Sequence, residues 1–148
     1  MAAAEDDFQT VRDITRITIK SIYPKYYPEG AVQFFCDHHS DDRIMDDIKS
    51  GKVFLLKAED VPVGTVTVSD YEIDRLFVLP EHQRKGYGKQ LMDFAEQMIS
   101  KVSNRIVLDA SLPAKKIYIN RGYTATAYNM IETDNGDYLC FDVMEKKL

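Results

Sequence analysis

The stretch RLFVLPEHQRKGYGKQLMDFAEQM, residues 75–98, decides the fold class of this chain of 148 residues. It starts as an apolar run, passes through a basic segment that contains two glycines, and continues with apolar residues at helical spacing. A strand that leads through glycines into a helix leaves several backbone N–H groups unpaired, and the helix dipole adds partial positive charge there. Residues 83–89 therefore have the features of an anion site of the kind that cradles a phosphate.

This basic segment has three competing interpretations. A dinucleotide-binding fingerprint has three glycines, whereas GYGKQL has two, and GKQ lacks the GxxxxGK(S/T) spacing of a P-loop. Taken alone, the segment is equally typical of an ordinary basic turn between a strand and a helix. If it binds an anion, Gly86 and Gly88 let the backbone approach closely. Positive charge would then come from Arg84, Lys85 and Lys89.

The rest of the chain predicts an alternation of helices and strands. Apolar residues at helical spacing predict a helix from Asp6 to about Ser21, and one or two short helices are predicted before Gly51. Runs rich in β-branched residues predict a hairpin of residues 53–57 and 63–68, a third strand at 71–79 and a fourth at 105–110. A helix ending at Gly122 and a hairpin turning at Asn135-Gly136 complete the order. This order predicts one α/β domain, residues 1–148, with a mixed central β-sheet flanked by helices on both faces.

Two details of this prediction concern which side chains share a face. Strict alternation along the third strand places Ile73, Arg75 and Phe77 on one face, and Glu72, Asp74, Leu76 and Val78 on the other. The predicted apolar stripe of the helix that follows consists of Leu91, Phe94, Ala95, Met98 and Val102.

The charge and the termini narrow the range of partners. With 19 basic and 24 acidic residues the net charge is -5, which argues against a nucleic-acid partner bound through broad phosphate neutralisation. Cys36 and Cys140 lack metal-ligand spacing and are predicted to be reduced thiols. The N-terminal segment has acids where a signal peptide needs a basic region, and no apolar run approaches membrane-spanning length. We therefore expect a cytoplasmic protein without a membrane partner.

Two motifs in order resemble the GCN5-related N-acetyltransferase (GNAT) family. Residues 83–88, QRKGYG, match its Q/R-x-x-G-x-G/A signature, and residues 75–98 resemble its strand–loop–helix core. Residues 108–123, LDASLPAKKIYINRGY, resemble its later strand–helix segment, which ends in a Y-x-x-x-GY/F pattern. The resemblance extends over nearly the whole chain. It implies a GNAT-type mixed sheet and an N-acetyltransferase that moves an acetyl group from acetyl-CoA to a primary amine of a small molecule or peptide, by direct attack in a ternary complex.

The resemblance also implies which residues bind acetyl-CoA. In the family the first signature binds the pyrophosphate through backbone N–H groups, and the matching residues here are Gln83, Arg84, Lys85, Gly86, Tyr87, Gly88 and Lys89. The main chain of Phe77, Val78 and Leu79 is expected to pair with the pantetheine arm like an added strand. The chain departs from the family at Ser111, where many relatives have asparagine. Serine can still hydrogen-bond the pantetheine or cap the helix.

Acetyl transfer requires a base for the amine and an acid for the departing thiolate. The resemblance implies that Tyr118 is the acid, because it lies where many family members have a general-acid tyrosine; an amphipathic tyrosine packed at a helix end is the alternative. Glu72 occupies the position that histone-type members fill with a catalytic glutamate, and partial burial would raise its pKa towards the working range. Asp74 is the second candidate base, and a solvated acidic strand face is the alternative for both.

The acceptor is expected to bind beside residues 21–39. An amine pocket there would have aromatic walls and acidic residues nearby, namely Tyr23, Tyr26, Tyr27, Phe34 and Phe35 with Asp37, Asp41 and Asp42. A helix–helix core with an exposed acidic rim explains the same residues equally well. His38, His39 and His82 lack the spacing of a metal site, so no metal is predicted.

Other functions remain open on the sequence. A non-catalytic acyl-CoA-binding or sensory module would keep QRKGYG but need neither Tyr118 nor Glu72, and a transferase of a longer acyl group is a further alternative. Many relatives dimerise through their terminal strands, and YLCFDVME, residues 138–145, offers an apolar edge for such pairing. The resemblance thus extends to a possible homodimer.

Overall fold

The computed structural model describes residues 1–148 and contains five helices and six strands. Three helices come first, followed by three strands, a long helix, a strand, a short helix and a terminal hairpin. The bounds are α1 Phe8–Ile22, α2 Glu29–His38, α3 Asp41–Lys49, β1 Val53–Ala58, β2 Val61–Ser69, β3 Glu72–Val78, α4 Tyr87–Ser100, β4 Arg105–Ala110, α5 Lys115–Asn120, β5 Thr124–Glu132 and β6 Tyr138–Lys147.

The strands form one mixed sheet in the order β1-β2-β3-β4-β6-β5. Every neighbouring pair is antiparallel except β3 and β4, which run parallel because α4 crosses between them. This arrangement confirms the predicted α/β class and the mixed sheet. The terminal strand β6 lies between β4 and β5, so the expectation that residues 138–145 offer a free edge is wrong. The edge strand at that end of the sheet is β5.

The helix α4 covers one face of the sheet together with α5. Leu91, Ala95 and Ile99 recur every fourth residue and are buried with Met92 against the strands. The helix was predicted correctly, and so were Leu91 and Ala95 of its apolar stripe, but the other three residues of that stripe are not part of the buried face. Val102 lies beyond the end of α4 and is 75% exposed, and Phe94 packs edge-on against Phe54 at the rim.

The helices α1, α2 and α3 cover the opposite face. Their buried residues, among them Val11, Ile14 and Ile44, form a second core with β1 and with the side chain of Phe77. The sheet is therefore covered on both faces, as the order of elements predicted.

A β-bulge in β3 changes the side on which several residues point. Thr65 pairs with Phe77 and Thr67 with Asp74, so Arg75 and Leu76 together face one residue of β2. Arg75 has a left-handed backbone, with φ of +43°. Strict alternation therefore fails: Ile73 and Val78 both pack on the α4 face, whereas Phe77 packs on the opposite face.

The sheet opens between its two parallel strands. Pairing of β3 with β4 is limited to Glu72 with Val107 and Ile73 with Leu108. Beyond Ile73 the strand β3 stays paired with β2, and β4 stays paired with β6 along its whole length. The edge of β3 that faces β4 therefore lacks a neighbouring strand from Asp74 onwards, which leaves room for an extended ligand to pair there.

Candidate active site

The opening of the sheet leads into a cleft of about 600 Å³ with mostly hydrophobic walls. One end of the cleft lies at the loop before α4. The other end lies between α1, α2 and the terminal hairpin, and residues of β3, β4 and α5 line its middle. Most of the residues that were predicted to be catalytic or to bind acetyl-CoA line this cleft, and the exceptions are Glu72, Leu79, Lys85, Gly86 and Lys89.

The loop before α4 presents a row of free backbone donors. None of the six N–H groups of residues 84–89 donates a hydrogen bond within the protein. Gly86 precedes the helix in the left-handed conformation, with φ of +86°, and Arg84 is also left-handed at +63°. Consecutive N–H groups of this kind at a helix N-terminus form a concave anion site.

The two glycines of this loop are there for different structural reasons. The positive φ of Gly86 strains any other residue there. Gly88 has no such constraint, and an added Cβ would contact only the Val78 side chain, at 4.0 Å. Gly88 and Val78 both line the cleft, so the space above Gly88 belongs to the cleft and not to the core.

The end of β3 is tied to this loop and to β2. The side-chain amide of Gln83 donates a hydrogen bond to the carbonyl oxygen of Val78 at 3.0 Å. The N–H of Leu79 donates to the carbonyl oxygen of Val63 at 2.9 Å. The Leu79 donor is therefore already used, and the strand edge open to a ligand lies before it, in residues 74–78.

Tyr118 lies on α5 and lines the middle of the cleft. Its side chain is 8% exposed, and its hydroxyl makes no hydrogen bond with the protein. Burial raises the pKa of this hydroxyl to about 12. The group therefore keeps its proton at neutral pH and can donate it to a neighbour in the cleft.

The two candidate bases occupy different surroundings. Glu72 is exposed, pairs with Val107 before the strands separate, and does not line the cleft. Asp74 follows two residues later and does line it. Burial raises the pKa of Asp74, Arg75 partly opposes that shift, and Asp109 adds to it. The structure thus brings Asp74, and not Glu72, into the same cleft as Tyr118.

Asp109, near the end of β4, is a cleft residue that the sequence analysis missed. The available signal was an aspartate within the otherwise apolar strand RIVLDA. Partial burial raises its pKa, and His38 opposes that shift. Ser111, which follows β4, lines the cleft and accepts hydrogen bonds from the N–H groups at the start of α5. Its carbonyl oxygen lies 3.1 Å from the Ala114 nitrogen.

The far end of the cleft has aromatic walls. Tyr23, Tyr26, Phe34 and Phe35 line it, as the acceptor hypothesis expected. Tyr27 does not, because its hydroxyl accepts a hydrogen bond from the N–H of Leu112 at 2.7 Å.

The acids that were expected near those aromatic residues lie elsewhere. Asp41 forms ion pairs with Arg12 and Arg16 on the outer surface, at 3.0 and 2.7 Å. Asp37 accepts a hydrogen bond from Gln33, and neither Asp37 nor Asp42 lines the cleft.

The three histidines are placed at the two ends of the cleft. His38 and His39 line the aromatic end, and burial lowers the pKa of His39 to about 3, so its ring is neutral. His82 borders the loop before α4, with its ring 6.4 Å from that of Tyr87. No group of three or more His, Cys, Asp and Glu side chains has the arrangement that holds a metal ion.

Comparison with known proteins places these features in context. Residues 22–148 match the family model of the acetyltransferase (GNAT) domain. No curated protein sequence matches the chain. No helix has the length and apolarity that a membrane span requires.

Several solved structures share the fold. A GCN5-related N-acetyltransferase from Rhodopseudomonas palustris superposes with a TM-score of 0.85 at 24% identity, over 97% of this chain and 91% of the other. The PaiA N-acetyltransferase from Thermoplasma acidophilum, solved with coenzyme A, has a TM-score of 0.72 at 20% identity, over 100% of this chain and 97% of the other. The yncA protein of Salmonella typhimurium, solved with acetyl-CoA, gives 0.76 at 16% identity over 100% and 92%.

Proposed function

The chain belongs to the GNAT acetyltransferase family, and we propose that it transfers the acetyl group of acetyl-CoA to a primary amine in a ternary complex. Family membership gives the reaction class. The residues of the cleft suggest how this chain performs it.

The loop before α4 would hold the pyrophosphate of the donor. Its six free N–H groups supply hydrogen bonds, while Arg84, Lys85 and Lys89 surround them with positive charge. The open edge of β3 at residues 74–78 would pair with the pantetheine arm, since β4 has moved away from it there. Ser111, which follows β4 and lines the cleft, would face this arm. Acetyl-CoA supplies the acetyl group as a thioester.

Tyr118 is the proposed general acid. Its hydroxyl is protonated, has no partner in the protein and opens into the middle of the cleft, so it is free to protonate the departing thiolate. Asp74 is the proposed base in place of Glu72. Its raised pKa brings a carboxylate closer to the range in which it accepts a proton from an ammonium group.

The proton balance of the proposed reaction is complete with these two residues. The acceptor enters as an ammonium ion and loses one proton to Asp74, which returns it to solvent. The amine nitrogen then forms a bond to the carbonyl carbon as the carbon–sulfur bond breaks. Tyr118 gives its proton to the sulfur and regains one from the acylated nitrogen. The products are the N-acetyl amine, CoA thiol and one released proton.

The observation that most supports this proposal is the shared cleft of Tyr118 and the free N–H groups of residues 84–89. Calorimetry with acetyl-CoA, together with thiol release in the presence of a panel of primary amines, tests it. We expect both binding and amine-dependent release. Binding without release for any amine would indicate the alternative, a non-catalytic acyl-CoA-binding module. Faster release from a longer acyl-CoA would indicate a transferase of that acyl group.

The remaining expectations stay proposals. We propose that residues 1–148 form one acetyltransferase domain, because α1 packs on the same sheet as the matched region, through Val11 and Ile14. A cytoplasmic location and a homodimer stay predictions. If the chain dimerises through its terminal hairpin, the pairing edge is β5, where Tyr128 is 65% exposed.

A further inference from the structure

We infer that the acceptor is a primary amine with an apolar body and no carboxylate next to the amine, bound as its ammonium ion by Asp74 and Asp109. This inference rests on the proposed function, since it concerns the acceptor end of the same cleft. It narrows the acceptor from any primary amine to one chemical class.

The register of the two parallel strands places the carboxylates side by side. Ile73 of β3 is the Cα partner of Leu108 of β4, and both side chains pack in the core beneath α4. The next residues on the two strands, Asp74 and Asp109, therefore project to the opposite face of the sheet. Both residues follow the last paired positions of β3 and β4, where the strands separate, and both line the cleft.

Two arginines, Arg43 and Arg75, lie near Asp74, but neither forms an ion pair with it. Neither Asp74 nor Asp109 takes part in an ion pair. Arg75 is adjacent but is engaged by Asp47 of α3. Arg43 lines a polar pocket beside the cleft together with Asp46, Asp47, Asp74 and Arg75.

The neighbouring histidines add no positive charge at neutral pH. Burial lowers the pKa of both His38 and His39, so neither ring is a cation at neutral pH. Asp74 is half-buried and Asp109 is exposed. Two neighbouring carboxylates that form no ion pair repel each other, and a cation from outside would relieve that repulsion.

A second group in the cleft also lacks a partner. Tyr118 is 8% exposed, and its hydroxyl donates to no atom of the protein. The hydroxyl is not sealed in the core, because Tyr118 lines the cleft, so a ligand in the cleft can reach it. Tyr118 and the carboxylate pair line one continuous cleft, so a ligand can contact both.

The walls next to the carboxylates define the body of the acceptor. Tyr23, Tyr26, Phe34, Phe35 and Phe141 line this end, and Ile131 and Leu139 of the hairpin add aliphatic surface. Aromatic faces attract ammonium groups and bury hydrocarbon. A sugar would leave its hydroxyl groups against apolar walls. An amino acid would bring its carboxylate against Asp74 and Asp109, where like charges repel.

The test compares amines that differ by one group. Phenethylamine and phenylalanine differ only in the carboxylate, as do 3-methylbutylamine and leucine, and glucosamine represents a polar body. We expect kcat/KM for each amine to exceed that of its amino acid by tenfold or more. Calorimetric titration of phenethylamine into the enzyme with bound CoA measures acceptor binding without turnover, and we expect it to bind more tightly than phenylalanine.

The variant Asp109→Asn removes one charge of the pair without removing the proposed base. We expect it to raise KM and Kd for phenethylamine about tenfold, with acetyl-CoA affinity unchanged. Asp42→Asn makes the same change in net charge at an exposed position of α3 outside the cleft, and should alter neither constant.

The outcomes separate this inference from the proposed function. Suppose that phenethylamine binds the parent protein, binds Asp109→Asn more weakly, and is never acetylated. That result would support the proposed amine site and refute the proposed transferase activity. Turnover of glucosamine or an amino acid in preference to the amines would overturn the inference and leave the transferase standing. An unchanged Kd in Asp109→Asn would likewise overturn it.

Discussion

Tyr118 keeps its proton because the protein surrounds it with apolar groups and gives its hydroxyl no partner. A general acid needs this combination: it must be protonated before the reaction and close to the group that receives the proton. The sequence placed a tyrosine at this position by resemblance alone. The structure adds the physical reason why its hydroxyl stays protonated, which is burial on α5 at the middle of the cleft.

Replacement of this hydroxyl tests its role. We expect Tyr118→Phe to lower kcat about 100-fold, because the thiolate then leaves without a proton donor. The Kd for acetyl-CoA should change less than threefold, since the ring that lines the cleft is retained. Stopped assays of CoA thiol and calorimetry measure the two quantities. A kcat close to that of the parent protein would remove Tyr118 from the mechanism.

Gly88 allows a clean test of the anion site, because its backbone does not require glycine. The nearest atom to an added Cβ is 4.0 Å away, so Gly88→Val should fold normally while its branches fill the cleft beside the free N–H groups. We expect acetyl-CoA to bind at least about tenfold more weakly, with the thermal midpoint within a few degrees.

Lys89→Ala is the matched comparison for the charge of the loop. Lys89 is exposed and already pairs with Asp93 at 2.8 Å, so its removal should weaken binding only a few-fold. If Lys89→Ala lowered the affinity for acetyl-CoA more than Gly88→Val does, then side-chain charge, and not the backbone N–H groups, would hold the anion. Gly86 is less informative, since its positive φ adds a folding cost to any substitution.

At the scale of elements, the turn of the terminal hairpin holds α2 against the cleft. The carboxylate of Asp137 accepts a hydrogen bond from the N–H of Gly30 in the first turn of α2, at 2.8 Å. A carboxylate at a helix N-terminus satisfies a free donor and favours the dipole. A Cβ on Gly30 would lie 1.9 Å from the side-chain oxygen of Asn135, so the contact is close. The hairpin and α2 together form the aromatic end of the cleft.

Neutralising this contact should therefore affect the acceptor more than the donor. We expect Asp137→Asn to lower the free energy of unfolding by about 1 kcal/mol and to raise the acceptor KM, with acetyl-CoA affinity unchanged. Urea unfolding and steady-state kinetics measure these effects. Asp134→Asn removes a charge from the exposed part of the same turn, and it should change neither the free energy of unfolding nor the acceptor KM. Equal effects of the two variants would show that α2 does not depend on the Asp137 bond.

At the scale of the whole molecule, buried titratable groups make stability depend on pH. His39 has a pKa of about 3 in the folded protein, against 6.5 for a free histidine, chiefly because it is buried, with Arg75, His38 and Arg43 adding to the shift. Above pH 6.5 the ring is neutral in both the folded and the unfolded protein, so its burial does not make stability depend on pH there. Below pH 6.5 the unfolded chain takes up a proton that the folded protein cannot, and stability falls until about pH 3.

The substitution His39→Phe isolates this contribution. The raised pKa values of Asp74 and Asp109 act in the opposite direction, because the folded state then takes up protons more readily as the pH falls. We expect the parent protein to lose about 2 kcal/mol more than His39→Phe between pH 7 and pH 5. Urea unfolding at the two pH values measures the difference. If the free energy of unfolding fell by the same amount in the two proteins between pH 7 and pH 5, that result would contradict the burial of a neutral His39.

The sequence by itself determined the features that depend on local order along the chain. Helical and strand periodicity predicted the elements, and their order predicted a mixed sheet with helices on both faces. The loop of residues 83–89 was recognisable because glycine, helix start and basic residues are adjacent in the chain. Tyr118 was proposed as the acid from the family resemblance of one short helix, and that role stays a prediction.

Tertiary structure alone decided the features that depend on contacts between distant residues. The bulge at Arg75 and Leu76 turned Phe77 to the other face, because a single extra residue reverses the alternation of a strand. The register of β3 with β4 brought Asp109 beside Asp74, although 35 positions separate them in the chain. Glu72 was excluded from the cleft by its place before the strands part. Periodicity reports which face a residue shares with its near neighbours, and only packing reports which distant residues it meets.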